Sequence, residues 1–347
     1  MVPVSVTKAG FVVAASLAVA AAAAAQGEAV RLQPKAHRTW SVLLPNEQWN
    51  PVGAGFAVAH KNGERFAATA EGDVLRVDLD GDGQQEAMVE GETGFLTLTG
   101  TSKGGSPLSY AVRLQRPKGR PWQYSSGGAL VGEIDGTRIQ IFDQNLNGRF
   151  DDFGQDAMVV GKDNVASFLS RVVAIGGKLH EIEVAADGAS FTHKPFAGPT
   201  GTLDLASQFE CSAKLQAAIV VSADGKYSFN LAGAASGQLV PAGKYTVRCG
   251  QVVLGDSRAQ LQTGRMAAID VAADGKQSIA WGGPVQAEFA FHRKGDQITF
   301  APAEIWYYGK QGEEWSAFMP LGKSPDFTIK NKATGETIVV AKFPGNC

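Results

Sequence analysis

Short runs of alternating apolar and polar residues, each closed by an Asp-Gly pair, recur along the chain. Leu179 to Val184 and Ser190 to Phe196 flank Asp187-Gly188; Ala218 to Val221 and Tyr227 to Leu231 flank Asp224-Gly225; Ala268 to Val271 and Ser278 to Trp281 flank Asp274-Gly275. A period of two places alternate side chains on opposite faces of a strand, and Asp-Gly suits the tight turn between strands, so the pattern predicts three hairpins. Asn164 to Ala174 departs from it. There Val165, Phe168, Leu169 and Val172 fall at helical spacing behind an asparagine cap, which predicts a helix, with a strand over Phe168 to Ile175 as the competing assignment. The 42 glycines and the scarcity of other helical periodicity make the fold class all-β.

A chain of 347 residues exceeds what one hydrophobic core usually organises, so a multi-domain architecture follows. Breaker clusters at Ala197-Gly198-Pro199-Thr200-Gly201 and Gly282-Gly283-Pro284 place the boundaries. The expected division is a segment 1–25, an N-terminal β domain over 26–200, a β-sandwich over 201–283 and a C-terminal β module over 284–347. Residues 1–25 carry Lys8 and then an alanine-dominated apolar run ending in small residues, the pattern of a cleaved secretory signal peptide. Secretion or periplasmic export is therefore expected, with no membrane span after cleavage. Removal of that segment leaves 31 basic against 34 acidic residues, which argues against a nucleic-acid partner. Of the three cysteines, Cys211 and Cys249 share one segment and are candidates to bridge two strands; Cys347 is the last residue.

Two acidic loops carry the best chemical signal. In Asp78-Leu79-Asp80-Gly81-Asp82-Gly83-Gln84-Gln85-Glu86, oxygen-bearing side chains occupy positions 1, 3 and 5, glycine occupies position 6, and Glu86 closes at position 9. Such side chains converge on one point when the chain curls, and an oxygen-only set without histidine or cysteine selects calcium over zinc or copper. The Gln84 carbonyl at position 7 is the expected additional ligand. The second loop repeats the pattern with Asp143, Asn145, Asn147, Gly148, Arg149 at position 7 and Asp151 at position 9, and Asp152 and Asp156 are two further acids. Their flanks match: Val74 to Val77 and Arg138 to Phe142 lead in, Ala87-Met88-Val89 and Ala157-Met158-Val159 lead out. A duplicated strand-loop-strand unit with two Ca2+ sites is expected. Solvated Asp/Asn/Gly turns without metal are the plainer alternative.

Neither loop has an acid at position 12, where Val89 and Gly154 stand, so the full EF-hand pattern is not met. The loops resemble the DxDxDGxxD loops of integrin-type β-propellers and related exported repeats, a resemblance that implies calcium and no fold beyond the local turn. Val240-Pro241-Ala242-Gly243-Lys244-Tyr245-Thr246-Val247 resembles the turn-and-strand signature of prealbumin-like and carboxypeptidase-regulatory sandwiches, which implies a non-catalytic module.

Enzyme signals are poor. Gly100-Thr101-Ser102-Lys103-Gly104 matches GxSxG, but Gly104-Gly105-Ser106-Pro107 cannot supply the helix that a nucleophile elbow needs. The histidines show no metal-binding spacing. Arg113, Arg116, Lys118 and Arg120 with Trp122 and Tyr124 form a basic aromatic patch, better read as solvated or as an intramolecular partner. Trp306, Tyr307, Tyr308 and Trp315 near Glu304, Glu313 and Glu314 have the composition of a sugar-binding platform, although strand alternation sends some rings into a core. The reading is an exported, non-enzymatic, calcium-binding β-domain protein with a structural or interaction role, its partner a glycan or envelope protein. The alternative is a polysaccharide-active hydrolase or carbohydrate-binding protein with structural calcium.

Overall fold

The computed structural model describes residues 27–295, 297–320 and 326–342. The signal segment and Cys347 lie outside them. The protein is all-β, a set of separate, mostly antiparallel sheets. Among the described residues, its one helical element is the 3-10 turn Pro302–Glu304. Among those residues no helix is long and apolar enough to cross a membrane. The chain forms two compact units, residues 27–198 with 225–228, and residues 199–224 with 229 onward.

Among the described residues, three hydrophobic cores lie in the first unit. One four-stranded sheet runs in the order Gly55–Phe56, Phe66–Glu71, Val74–Val77, Ala87–Val89, and a second in the order Asn50–Pro51, Gln123–Ser126, Pro107–Gln115, Thr93–Thr101. Phe66, Leu75 and Val77 of the first sheet share a core with Leu98, Val112 and Leu114 of the second. A five-stranded sheet follows the order Ser167–Phe168, Ala157–Val160, Thr137–Phe142, Gly128–Ile134, Gln33–Ala36. Its Ile139, Ile141 and Met158 pack with Val173, Ile182 and Phe191 of the sheet built from Glu28–Arg31, Ser190–Pro195, Lys178–Val184 and Val172–Ile175. Its other face is covered too, since Ala129, Phe142, Ala157 and Val159 pack with Val42 and Leu44. Alternation along Gly128–Ile134 divides Ala129 from Leu130 between these two cores. Each large side chain so buried contributes roughly 1.5–3 kcal/mol.

The duplication is visible in register. Val77 pairs with Ala87, Arg76 with Met88 and Leu75 with Val89; Phe142 pairs with Ala157, Ile141 with Met158 and Gln140 with Val159. Each acidic loop therefore joins two adjacent antiparallel strands, and the matching Ala-Met-Val segments take matching places.

Asn164 to Ala174 is not a helix. Ser167–Phe168 pairs with Ala157–Val160 and Val172–Ile175 pairs with Lys178–Val184. Residues 165–170 are all buried, so the apolar positions that mimicked a helical stripe belong to an extended segment enclosed on both sides. The Asn164 amide donates to Ser41 O at 3.0 Å instead of capping a helix. Of the predicted hairpins, Lys178–Val184 pairs with Ser190–Pro195. The one across Asp274-Gly275 does not form: Ile269–Val271 pairs with Gly243–Leu254, while Lys276–Ser278 runs parallel to Thr200–Asp204. Both strands are claimed by longer partners.

In the second unit the main sheet runs from Lys214–Ser222 through Gly243–Leu254, Ser257–Gln262, Glu314–Met319 and Ile305–Tyr308 to Gln286–Phe289, so Gly282-Gly283-Pro284 lies between strands of one connected architecture. Tyr245 is fully buried, and its hydroxyl donates to Pro241 O at 2.8 Å. No disulfide joins Cys211 to Cys249: Cys211 is an exposed thiol, and burial pushes the Cys249 thiol up to about 11.

Candidate metal centre

The first loop is shaped by its own side chains. Asp78, 3% exposed at the end of Val74–Val77, accepts Gly81 N at 2.7 Å on Oδ1 and Gly83 N at 2.9 Å on Oδ2. Asp80 Oδ1 accepts Asp82 N at 3.1 Å, Asp82 Oδ1 accepts Gln84 N at 2.8 Å, and Glu86 Oε2 accepts Leu79 N at 2.8 Å. These bonds curl the backbone inward. One carboxylate oxygen from each of Asp78, Asp80, Asp82 and Glu86 lies within 4.8 Å of all the others. The four oxygens are close enough together for one metal ion to touch them all, and their like charges repel unless a cation sits among them.

Two neighbours that sequence reasoning missed support this loop. The Asn62 amide donates to Gly81 O at 2.9 Å. The buried His60 ring lies so close that a Cβ on Gly81 would meet it at 2.4 Å. Gly81 also has φ +77°, so it serves both the left-handed turn and the close approach. Nothing local in the sequence marks His60 or Asn62 as partners of a loop about twenty residues on.

The second loop has the same frame. Asp143 Oδ1 accepts Leu146 N at 2.6 Å and Oδ2 accepts Gly148 N at 2.7 Å, the counterparts of the Gly81 and Gly83 bonds. Asn145 Oδ1 accepts Asn147 N at 3.3 Å, and Asn147 Oδ1 accepts Arg149 N at 2.8 Å. Leu146 takes the left-handed position of Gly81, with φ +63°. Burial of its side chain in the core of the two four-stranded sheets offsets that strain.

The acids of the second loop divide into two groups. Asp151 is turned to Arg149, with Oδ1 at 3.0 Å from Nε and Oδ2 at 2.8 Å from an Nη. Asp152 Oδ2 accepts both the Asn145 and Asn147 amides, at 3.0 and 2.6 Å. Asp143 and Asp156 are fully buried. Tyr110, on the strand Pro107–Gln115, donates its hydroxyl to Asp143 Oδ2 at 2.9 Å, a contact that its distance along the chain concealed. Burial pushes Asp143 up to about 6 against its hydrogen-bond donors, and burial with the neighbouring Asp143 charge pushes Asp156 up to about 9. Among the described residues, only the first loop brings three or more acidic, histidine or cysteine ligand atoms within 4.8 Å of one another. The second loop brings acids and amides together instead.

The remaining sequence candidates make local contacts. Ser102 Oγ accepts Ser106 N at 3.1 Å in the turn between Thr93–Thr101 and Pro107–Gln115, where there is no helix. The Arg113 guanidinium lies 3.7 Å from the Trp40 ring centroid and pairs with Glu47, while Trp122 and Tyr124 are buried. Trp315 is 5% exposed and stacks on Phe209. Glu313, fully buried, accepts Gly282 N at 2.7 Å and Gln311 N at 3.0 Å. Glu304 faces His292 at 2.9 Å, and Trp306, Tyr307 and Tyr308 are half-buried.

No family model matches the chain, and no curated protein or solved structure matches it.

Proposed function

We propose that the protein is an exported, non-enzymatic β-domain protein in which calcium, bound by the loop Asp78–Glu86 and by its duplicate at Asp143, acts as a structural ion. The observation that carries this reading is the four-carboxylate cluster, in which one oxygen from each acid lies within 4.8 Å of the others, an oxygen-only set of the kind that suits calcium. Export rests on the sequence of residues 1–25. The ion's role is to let like-charged side chains curl a strand connection that they would otherwise hold open.

The test is thermal unfolding in calcium and in chelator, with magnesium as a control. Calcium is expected to raise the midpoint and magnesium to do so far less, and Asp80→Ala with Asp82→Ala is expected to remove most of the calcium effect. Identical curves in calcium and chelator, together with no calcium uptake, overturn the reading.

A further inference from the structure

Asp156 carries an observation that the first loop does not share. The residue has no solvent exposure, its Oδ2 accepts Asp152 N at 3.0 Å, and its Oδ1 makes no well-formed hydrogen bond although the Gln144 backbone N–H lies near the carboxyl. A buried carboxylate oxygen without a donor is costly to leave so, and cation ligation is one of the few ways to satisfy it. The turn that presents it is closed by backbone bonds from Gln155 N and Asp156 N to Asp152 O, at 3.0 and 2.9 Å. Gln144, beside Asp143, donates its amide to Gln155 O, which fastens this turn to the start of the loop.

Resting on the calcium reading above, we propose that the second loop is a slowly exchanging calcium site closed by Asp156, with buried Asp143, half-buried Asn145 and exposed Asn147 as its other side-chain ligands. Asp151, at the position that closes the first loop, lies outside it because Arg149 holds both its oxygens. Asp152 is a positioning residue: by accepting both asparagine amides it directs their carbonyl oxygens away from itself. Each of those oxygens accepts one backbone N–H and keeps a lone pair for an ion. Two acids and two amides give a lower charge than the four acids of the first loop, which suits a site where charge is costly to bury. Slow exchange follows from the surroundings. Leu146 and Phe150 pack against the core of the two four-stranded sheets, and Phe150 and Phe153 also pack against the neighbouring core, so the two buried acids keep their hold on an ion while both cores stay closed.

The experiment is metal analysis of the whole purified protein after exhaustive dialysis into calcium-free buffer, paired with a calcium titration of the same sample. One calcium per chain is expected to survive dialysis, and the titration is expected to refill the first loop. Asp156→Asn is expected to lose the retained ion, while Asp151→Asn and Asp80→Ala keep it. Retention unchanged by Asp156→Asn, or lost in Asp151→Asn, overturns the proposal. A dialysed wild type that holds no calcium but binds it in the titration overturns the proposal and leaves the calcium reading intact; no binding in either overturns both. If Asp156→Asn does not fold, terbium replaces it as the probe. Tyrosine-sensitised terbium emission that resists dialysis is expected in the wild type and strongly reduced in Tyr110→Phe, and equal retained emission in the two overturns the proposal.

Discussion

The loops at Asp78 and Asp143 share a backbone frame and differ in almost everything around it. In the first, Asp80, Asp82 and Glu86 are exposed and only Asp78 is buried. In the second, Asp143 and Asp156 are buried, and an apolar residue, Leu146, stands where the first has Gly81. The comparison teaches that the curl of the chain is encoded by side-chain oxygens at positions 1, 3 and 5, whereas on the proposed reading the strength and lifetime of calcium binding are set by what packs outside the curl. An exposed shell is screened by water and open to exchange. One whose acids are buried is tied to the cores that hold those acids.

The sharpest way to break the comparison is at the fourth loop position. Leu146→Ala empties a core site and is expected to cost about 3–4 kcal/mol in denaturant unfolding, with calcium or with chelator alike. An insensitive variant would mean that the second loop is not anchored by its core. Position 6 comes next. A Cβ on Gly148 would lie 3.0 Å from Val58 Cα, in a left-handed backbone at φ +79°, while Gly83 at φ +94° has open space. Gly148→Ala is therefore expected to cost about 3 kcal/mol and Gly83→Ala about 1 kcal/mol. Equal costs would place the second loop at the surface. Chelation at the first loop is smaller in reach: with free calcium at a hundred times its dissociation constant, the ion adds about 2.7 kcal/mol, and Asp80→Ala is expected to abolish that share in melts with and without chelator. The smallest effect is Tyr110→Phe, which removes a hydrogen bond to a charged, buried carboxylate. It is expected to cost about 1.5–2 kcal/mol by denaturant titration, and no loss would detach Tyr110 from the account.

Much of this was legible in the chain. Alternation with Asp-Gly turns identified the all-β class, and the repeated Ala-Met-Val flanks predicted strands that the structure pairs in equivalent register. Legibility ended where tertiary partners decide. A segment buried on both sides has no face to display, so residues 164–174 imitated a helix. The pairing of Ile269–Val271 with Gly243–Leu254 depends on which longer strand competes for it, a question that local turn chemistry does not pose. At the second loop, Arg149 and Asp151 stand two residues apart in the sequence, yet that they bind each other is a fact of geometry. His60, Asn62 and Tyr110 reach the loops from other strands or connections, and no spacing rule points to them.

The central claim is that both loops bind calcium, and calorimetric titration of calcium into chelator-stripped protein tests it most directly. The account predicts two binding events, of which Asp80→Ala with Asp82→Ala removes one and leaves the other. A titration without binding heat and without calcium uptake at millimolar calcium would contradict it.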